Sequence, residues 1–558
     1  MRSYLVSGRR ALGVRASGLA VAGLAAVLLL AACDSDSTLP FPGGVGGAPT
    51  GASSSSASAT TSGSSGGGGG GIGGMDAGTM VTPPPFDWMG IVGTGQSLSV
   101  GYTGMPLVST TQPYQNRKLL DSGPDPKYDG AEDQLTLVPL VAPIRPQFPG
   151  YPGNVYPNNI YGETPNEGMG NQLSKTANDL GGLAYDSIHS VIGESGQSIT
   201  VLEKNGTGKA YAATLYEANA IKALADAAGK TFGYGAIILT HGETDADDPE
   251  YGAQIRQLWA DYNADLRAIT GQTTPIPLLV SQQSTFPSGA GSRSRSTLAQ
   301  WQLGVDYPGE ILCVGPKYQY AYYPDHVHFD GVNYRRLGEK YAEVLARVTL
   351  LGETWKPLQP RSVARAGAMI TVELDVPDPP LAWEETISPP HQTTSMQWAS
   401  GRGFEVEDDT GPLTILSVSL QESSVQIALA APPAGQNLVV RYAMTQDVDG
   451  FTGGTTDARR GQLRDSDPFV GLDQETIDCS AASGSAEISA GAAGAFAGRT
   501  VGDLVSGPGV PAGTVVIAKS SDEAMTLSQS FTGQDGVASL SFHHDQRNYC
   551  VQFELPVP

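Results

Sequence analysis

The sequence predicts an α/β protein. A mostly parallel sheet flanked by helices occupies residues 86–354, and a β-sandwich follows at 355–478. The sandwich carries a small β-rich insert at 479–543 and closes with a returning strand in 544–558. Three observations predict this. Up to about Trp355, apolar runs of strand length alternate with amphipathic helical patterns, as in sheets covered on both faces. Beyond that point the helical period disappears, and alternating or β-branched runs separated by turn residues take over. Ahead of both, residues 33–85 are dominated by Ser, Gly, Ala, Thr and Pro, a composition that cannot offset its own ordering entropy. The 558 residues, 40% of them apolar, suit about three domains with true cores.

The first 32 residues read as a signal peptide. Arg2, Arg9, Arg10 and Arg15 precede a short apolar run at 19–30, too short to span a bilayer comfortably. The run ends in Leu30-Ala31-Ala32-Cys33, which resembles the bacterial lipobox. That resemblance implies cleavage before Cys33 and a lipid on its sulfur, giving a membrane anchor and a location in the cell envelope, outside the cytoplasm. An ordinary secretory signal is the alternative. At about 5–6 Å × √n, the Gly/Ser-rich segment would span roughly 40 Å as a flexible tether.

In the α/β part, residues 87–93, 235–240, 276–281 and 311–314 read as buried strands. Residues 211–228, 251–269 and 334–350 read as helices, the first two stopped by Gly229 and Gly271. Ligands of such sheets bind at the carboxyl ends of the strands, and three polar segments lie there. Gly95-Gln96-Ser97-Leu98 follows the first strand, where a helix N-cap is the commoner reading of such a turn taken alone. It lacks the second Gly of a GxSxG elbow, because Ser99 stands there. His241-Gly242-Glu243-Thr244-Asp245 follows the second strand; a capped turn is its bland reading. Asp325 and His328 sit three apart ahead of the last helix, a spacing that lets the carboxylate hold Nδ1–H and leaves Nε2 as a base. A metal site from Asp325, His326, His328 and Asp330 is the rival.

Composition narrows the partners. With 56 Asp and Glu against 33 Lys and Arg, a net charge of −23 and no dense basic patch, nucleic acid is excluded as an expected ligand. Strongly anionic polysaccharides are disfavoured for the same reason. The four cysteines are too few for a disulfide scaffold or a four-thiolate zinc site with CxxC spacing. Cys479 and Cys550 flank the insert and could pair in an oxidising compartment, two free thiols being the alternative; Cys313 reads as a core residue.

Taken in order, these blocks resemble the SGNH (GDSL-type) hydrolases, in the branch of sialate O-acetylesterases and carbohydrate acetylesterases. The GQS of Gly95-Gln96-Ser97, the Ser195-Gly196-Gln197-Ser198-Ile199 block, the Gly242-Glu243 block and Asp325-x-x-His328 carry the likeness over residues 86–352. It implies a flavodoxin-like sheet and a serine esterase with Ser97, His328 and Asp325 as the triad. Ser97 and Gly196 would supply oxyanion-hole amides. His241, where the family has an amide side chain, would be the third donor, with Gln96, Gly242, Glu243 and Asp245 in support. The Leu98 position also lacks the usual Asn. The expected substrate is an acylated carbohydrate, with no cofactor. Tyr114, Tyr128, Tyr151, Tyr156 and Tyr161 in a Pro-rich stretch suit sugar faces, or pack their own loop. A non-catalytic glycan-binding lipoprotein and an esterase or lipase of another substrate class are the rivals.

Overall fold

The computed structural model describes residues 81–123, 136–145, 160, 162–285, 294–385, 398–445 and 460–558. Cys33, the signal segment and most of the 33–85 stretch lie outside these residues, as do Tyr128, Tyr151, Tyr156 and Tyr161. Among the described residues, no helix is long and apolar enough to cross a membrane.

The α/β part contains β1 (Trp88–Gly95), β2 (Arg117–Leu119), β3 (Leu137–Pro139), α1 (Pro165–Gly181) and β4 (Ser187–Val191). It continues with α2 (Ala210–Ala227), β5 (Phe232–Thr240), α3 (Tyr251–Thr270), β6 (Leu278–Gln282), α4 (Arg295–Asp306), β7 (Ile311–Pro316) and α5 (Gly331–Thr349). The sheet order is β3-β2-β4-β1-β5-β6-β7, parallel throughout except for β3 at the edge. The chain leaves β1 for β4 on one side and returns to β5 on the other, so a topological switch point falls beside the carboxyl end of β1.

Strand alternation sends Met89 and Ile91 to one face and Trp88 and Val92 to the other. Met169 and Leu173 of α1 and Tyr334, Leu337 and Tyr341 of α5 cover the first face. Tyr211 and Ile221 of α2 and Ile255, Leu258 and Tyr262 of α3 cover the second.

Besides the short strands β2 and β3, three elements depart from the expected pattern. Helix α1 falls partly in a stretch read from sequence as a Pro-rich loop. Thr164, Pro165 and Glu167 start it as a capping box. Glycines on both helices let it pack on α5: a Cβ on Gly168 would lie 2.3 Å from the Arg335 carbonyl, and one on Gly338 of α5 2.0 Å from the Pro165 carbonyl. Strand β4 escapes sequence reading because Ser187, His189 and Ser190 are buried in it. Asn116 Oδ1 accepts from the Ser187 hydroxyl at 2.7 Å, and His189 faces Asn166 at 3.2 Å and Ser187 at 2.9 Å, so these two polar side chains are satisfied internally. Helix α4, begun by the Ser294 cap on the Thr297 amide, was likewise not anticipated.

Beyond Trp355 the described residues form antiparallel sheets. One orders Ile415–Gln421, Ser424–Leu429, Met369–Asp375 and Gln359–Ala366; another orders Gly411–Pro412, Phe404–Asp408, Val439–Tyr442 and Phe553–Pro556. Ile370, Val372, Val425 and Ile427 of the first and Phe404, Val440, Tyr442 and Phe553 of the second share one core. The chain between Val470 and Asp545 builds a separate six-stranded sheet with its own core. The contemplated Cys479–Cys550 disulfide is absent: both thiols are free and buried. Cys479 belongs to the core of the six-stranded sheet and Cys550 to the core shared by the other two, so separate packing keeps them apart.

Candidate functional site

Strand β1 ends at Gly95, whose φ is +137°. A Cβ there would lie 2.1 Å from the Thr240 carbonyl, so only glycine allows this turn against β5. A single 3₁₀ turn, Ser97–Ser99, follows at once. The Ser99 amide and hydroxyl both donate to the Gln96 carbonyl, at 2.8 and 2.7 Å, and Leu98 plugs into the core. Ser97 is thereby held at the sheet's carboxyl edge.

A second segment meets it from 231 positions away. Phe329 is fully buried among Tyr320, Tyr322 and Tyr334, which anchors the chain beside His328. Asp330 caps α5 by accepting from the Asn333 amide at 2.9 Å. The loop after Ser97 is tied to this segment: Thr103 Oγ1 donates to the Phe329 carbonyl at 2.9 Å, and the Tyr334 hydroxyl to the Tyr102 carbonyl at 2.7 Å. A Cβ on Gly331 would lie 1.9 Å from the Pro106 carbonyl, a measure of how closely the two segments pack.

Between them, His328 Nε2 stands 2.6 Å from Ser97 Oγ and Nδ1 stands 2.7 Å from Asp325 Oδ2. The other carboxylate oxygen accepts from the Val327 and His328 amides, both at 3.0 Å, so Asp325 orients ring and backbone together. Burial raises the Asp325 pKa, but the hydrogen bond and charge of His328 and the two amides outweigh it and hold the carboxyl below its ordinary value. Tyr102 packs edge-on to the imidazole at 4.8 Å. Tyr323 and Met105, two exposed apolar side chains, stand on the same two segments. Such a relay lets Ser97 lose its proton to His328 as it attacks an electrophilic carbon. In the rival metal reading Asp325, His326, His328 and Asp330 would be ligands, but here Asp325 and His328 bind each other and Asp330 caps a helix. Among the described residues, no group of three or more His, Cys, Asp or Glu is arranged to hold a metal.

The loop after β4 lies alongside. Its Ile192 and Glu194 amides donate to the Gly93 and Gly95 carbonyls, at 2.6 and 2.9 Å, and Glu194 Oε1 accepts from the Lys209 and Ala210 amides at the start of α2. Gly193 abuts the Ser97 turn: a Cβ there would sit 2.1 Å from Ser99 Oγ. Gly196 adopts φ +67° and faces open space. Among the described residues, neither the Ser97 nor the Gly196 amide has a hydrogen-bond acceptor, and a free N–H group is what a developing oxyanion requires.

The structure does not present His241 as a free oxyanion donor. Its ring is fully buried, with Nδ1 at 3.0 Å from the Tyr251 hydroxyl and Nε2 at 3.0 Å from the Gln197 carbonyl, so both nitrogens are engaged. The other members of its block are also committed. Glu243 pairs with the buried Lys317 ammonium, a partner that sequence reading missed, since it comes from the end of β7. Asp245 Oδ2 accepts from the Ile199 amide at 2.8 Å. Gly242, at φ +119°, packs against Gln300. Gln96 Oε1 accepts from the Thr244 amide at 3.5 Å.

No family model matches the sequence, and no curated protein matches it. Among solved structures, it is similar to a carbohydrate acetylesterase from Xanthomonas citri, with a TM-score of 0.40 and 13% identity over 68% of this chain and 81% of that one. A protein of Arabidopsis thaliana has a TM-score of 0.32 at 13% identity, over 47% and 98% of the two chains. NanS has a TM-score of 0.30 at 11% identity, over 48% and 98%.

Proposed function

We propose that residues 86–354 form a serine esterase that hydrolyses short acyl esters, acetyl above all, on carbohydrate. The observation that carries this is the continuous relay Asp325–His328–Ser97, with contacts of 2.7 and 2.6 Å. Ser97 Oγ attacks the ester carbonyl while His328 Nε2 takes its proton. The tetrahedral oxyanion accepts from the Ser97 and Gly196 amides, each typically worth about 3–4 kcal/mol in such sites. Collapse expels the alcohol, protonated by His328. Water, deprotonated by the same imidazole, then releases the acid from the acyl-Ser97 ester. The strand order around β1 supports a flavodoxin-like sheet. The carbohydrate assignment rests on the four sequence blocks and on Tyr323, exposed beside His328 as an aromatic face for a sugar ring. Hydrolysis of p-nitrophenyl acetate that disappears in Ser97→Ala is the expected result. Absence of hydrolysis, or activity unchanged in that variant, would leave a glycan-binding protein on a hydrolase-like fold. Comparing acetylated xylan, an O-acetylated sialic acid and longer acyl esters reads substrate class.

In this reading Cys33 carries a lipid and residues 33–85 tether the enzyme outside the cytoplasm. Residues 355–478 with 544–558 act as one β-sandwich, and 479–543 as an insert within it. Metabolic labelling with a palmitate probe, lost in Cys33→Ala together with membrane association, tests the anchor.

A further inference from the structure

The block after β5 does not reach the hole, yet it grips the loop that forms it. Two of its side chains hold residues just C-terminal to Gly196: the His241 ring meets the Gln197 carbonyl at 3.0 Å, and the Asp245 carboxylate accepts from the Ile199 amide at 2.8 Å. The partners fix the tautomer. Nε2 faces a carbonyl and so carries the proton, while Nδ1 accepts from the Tyr251 hydroxyl. That hydroxyl in turn accepts from Gln300 Nε2 at 3.3 Å, whose other hydrogen reaches the His241 carbonyl at 2.6 Å. The ring is thus clamped from α3 and α4 and has one group left to hold, the loop. Gly196 makes the clamp useful: its surroundings are open and its backbone left-handed, and the one local bond across it, from the Gln197 amide to the Glu194 carbonyl, is long at 3.3 Å.

We infer that His241 is a positioning residue whose Nε2–H fixes the Gln197 carbonyl, and thereby aims the Gly196 amide at the oxyanion. Asp245 provides the second anchor at Ile199. This rests on the serine-esterase reading and deepens it, replacing direct donation by His241 with action through the loop. Glu243, Lys317, Asp245 and Tyr251 are the charged and titratable groups around the ring. Burial lowers the His241 pKa against the pull of Asp245, Gln197 and Glu243, consistent with a neutral imidazole in this role.

The test pairs kinetics with hydrogen exchange on the full chain. His241→Leu keeps the bulk and removes the donor; it should lower kcat for p-nitrophenyl acetate by about tenfold to a hundredfold with little change in KM. It should also raise amide exchange across residues 195–199. His241→Gln, whose amide can both donate to Gln197 and accept from Tyr251, should recover most of both. Unchanged kcat and exchange in His241→Leu would overturn the inference. So would a kcat loss with unchanged exchange, which would instead make His241 a direct oxyanion donor. If His241→Leu does not fold, His241→Gln carries the test: near-normal kcat and exchange support the anchor, and loss of either overturns it. A wild-type chain without esterase activity would defeat the serine-esterase reading, while the exchange arm would still report whether His241 holds the loop.

Discussion

Replacing Asp325 probes the relay where its magnitude can be worked out. During attack by Ser97 the imidazole becomes a cation, with its charge centre roughly 4 Å from that of the carboxylate. Two unit charges at that separation interact by about 4 kcal/mol at an effective dielectric constant of 20 and by about 1 kcal/mol in water. The Asp325 side chain is 35% exposed and that of His328 9%, so the pair lies between these limits. About 2–3 kcal/mol of transition-state support is expected, which is a loss of roughly 30- to 150-fold in kcat for Asp325→Ala. Asp325→Asn should be worse, not milder. Its amide would present N–H to Nδ1, force the proton onto Nε2 and remove the base, with losses approaching about 10⁴-fold in comparable relays. Because the folded carboxyl is held below its ordinary value, its support is present above the unfolded pKa and is lost only as pH falls through the lowered one. The ratio of wild-type to Asp325→Ala activity should therefore narrow only in strong acid. Steady-state hydrolysis of p-nitrophenyl acetate, with circular dichroism as a folding control, measures all three. A loss below threefold in Asp325→Ala, or Asn outperforming Ala, would refute this account of the relay.

Four further outcomes follow from the same geometry. Gly95→Ala should destabilise by about 2 kcal/mol or more and cut activity, since its Cβ would meet the Thr240 carbonyl; unchanged melting and rate would contradict the turn described. Burial raises the Glu217 carboxyl to about 7, so its contribution to stability is complete below the unfolded value and is lost as pH rises toward 7, by roughly 3 kcal/mol. Glu217→Gln should then gain on the wild type between pH 5 and 7 in urea midpoints, and a constant difference would count against it. Lys317→Met strands the buried Glu243 carboxylate and should cost about 3–5 kcal/mol, partly recovered by adding Glu243→Gln; equal stability of the single and double variants would show the pair is not coupled. Alkylation in denaturant without reductant should label both Cys479 and Cys550, and protection of the two together would reveal the bond absent here.

Local patterns are what the sequence determines by itself. The alternation of apolar runs with helical spacing specifies a helix-covered parallel sheet, because burial on both faces requires it. The Asp325-x-x-His328 turn is equally local: one carboxylate can hold a ring three residues on without help from elsewhere. Strand β4 and helix α1 could not be read this way. Their buried polar residues and glycines are satisfied by Asn116, Asn166 and the α5 backbone, partners that only the assembled fold supplies. Tertiary structure alone decides that Ser97 reaches His328, and that His241 turns from the nucleophile toward Gln197. It also decides that Cys479 and Cys550 are buried in different cores. In each case the deciding contact joins residues with no neighbouring relation along the chain, so the position of the surrounding elements, not the identity of the residue, sets where the side chain points.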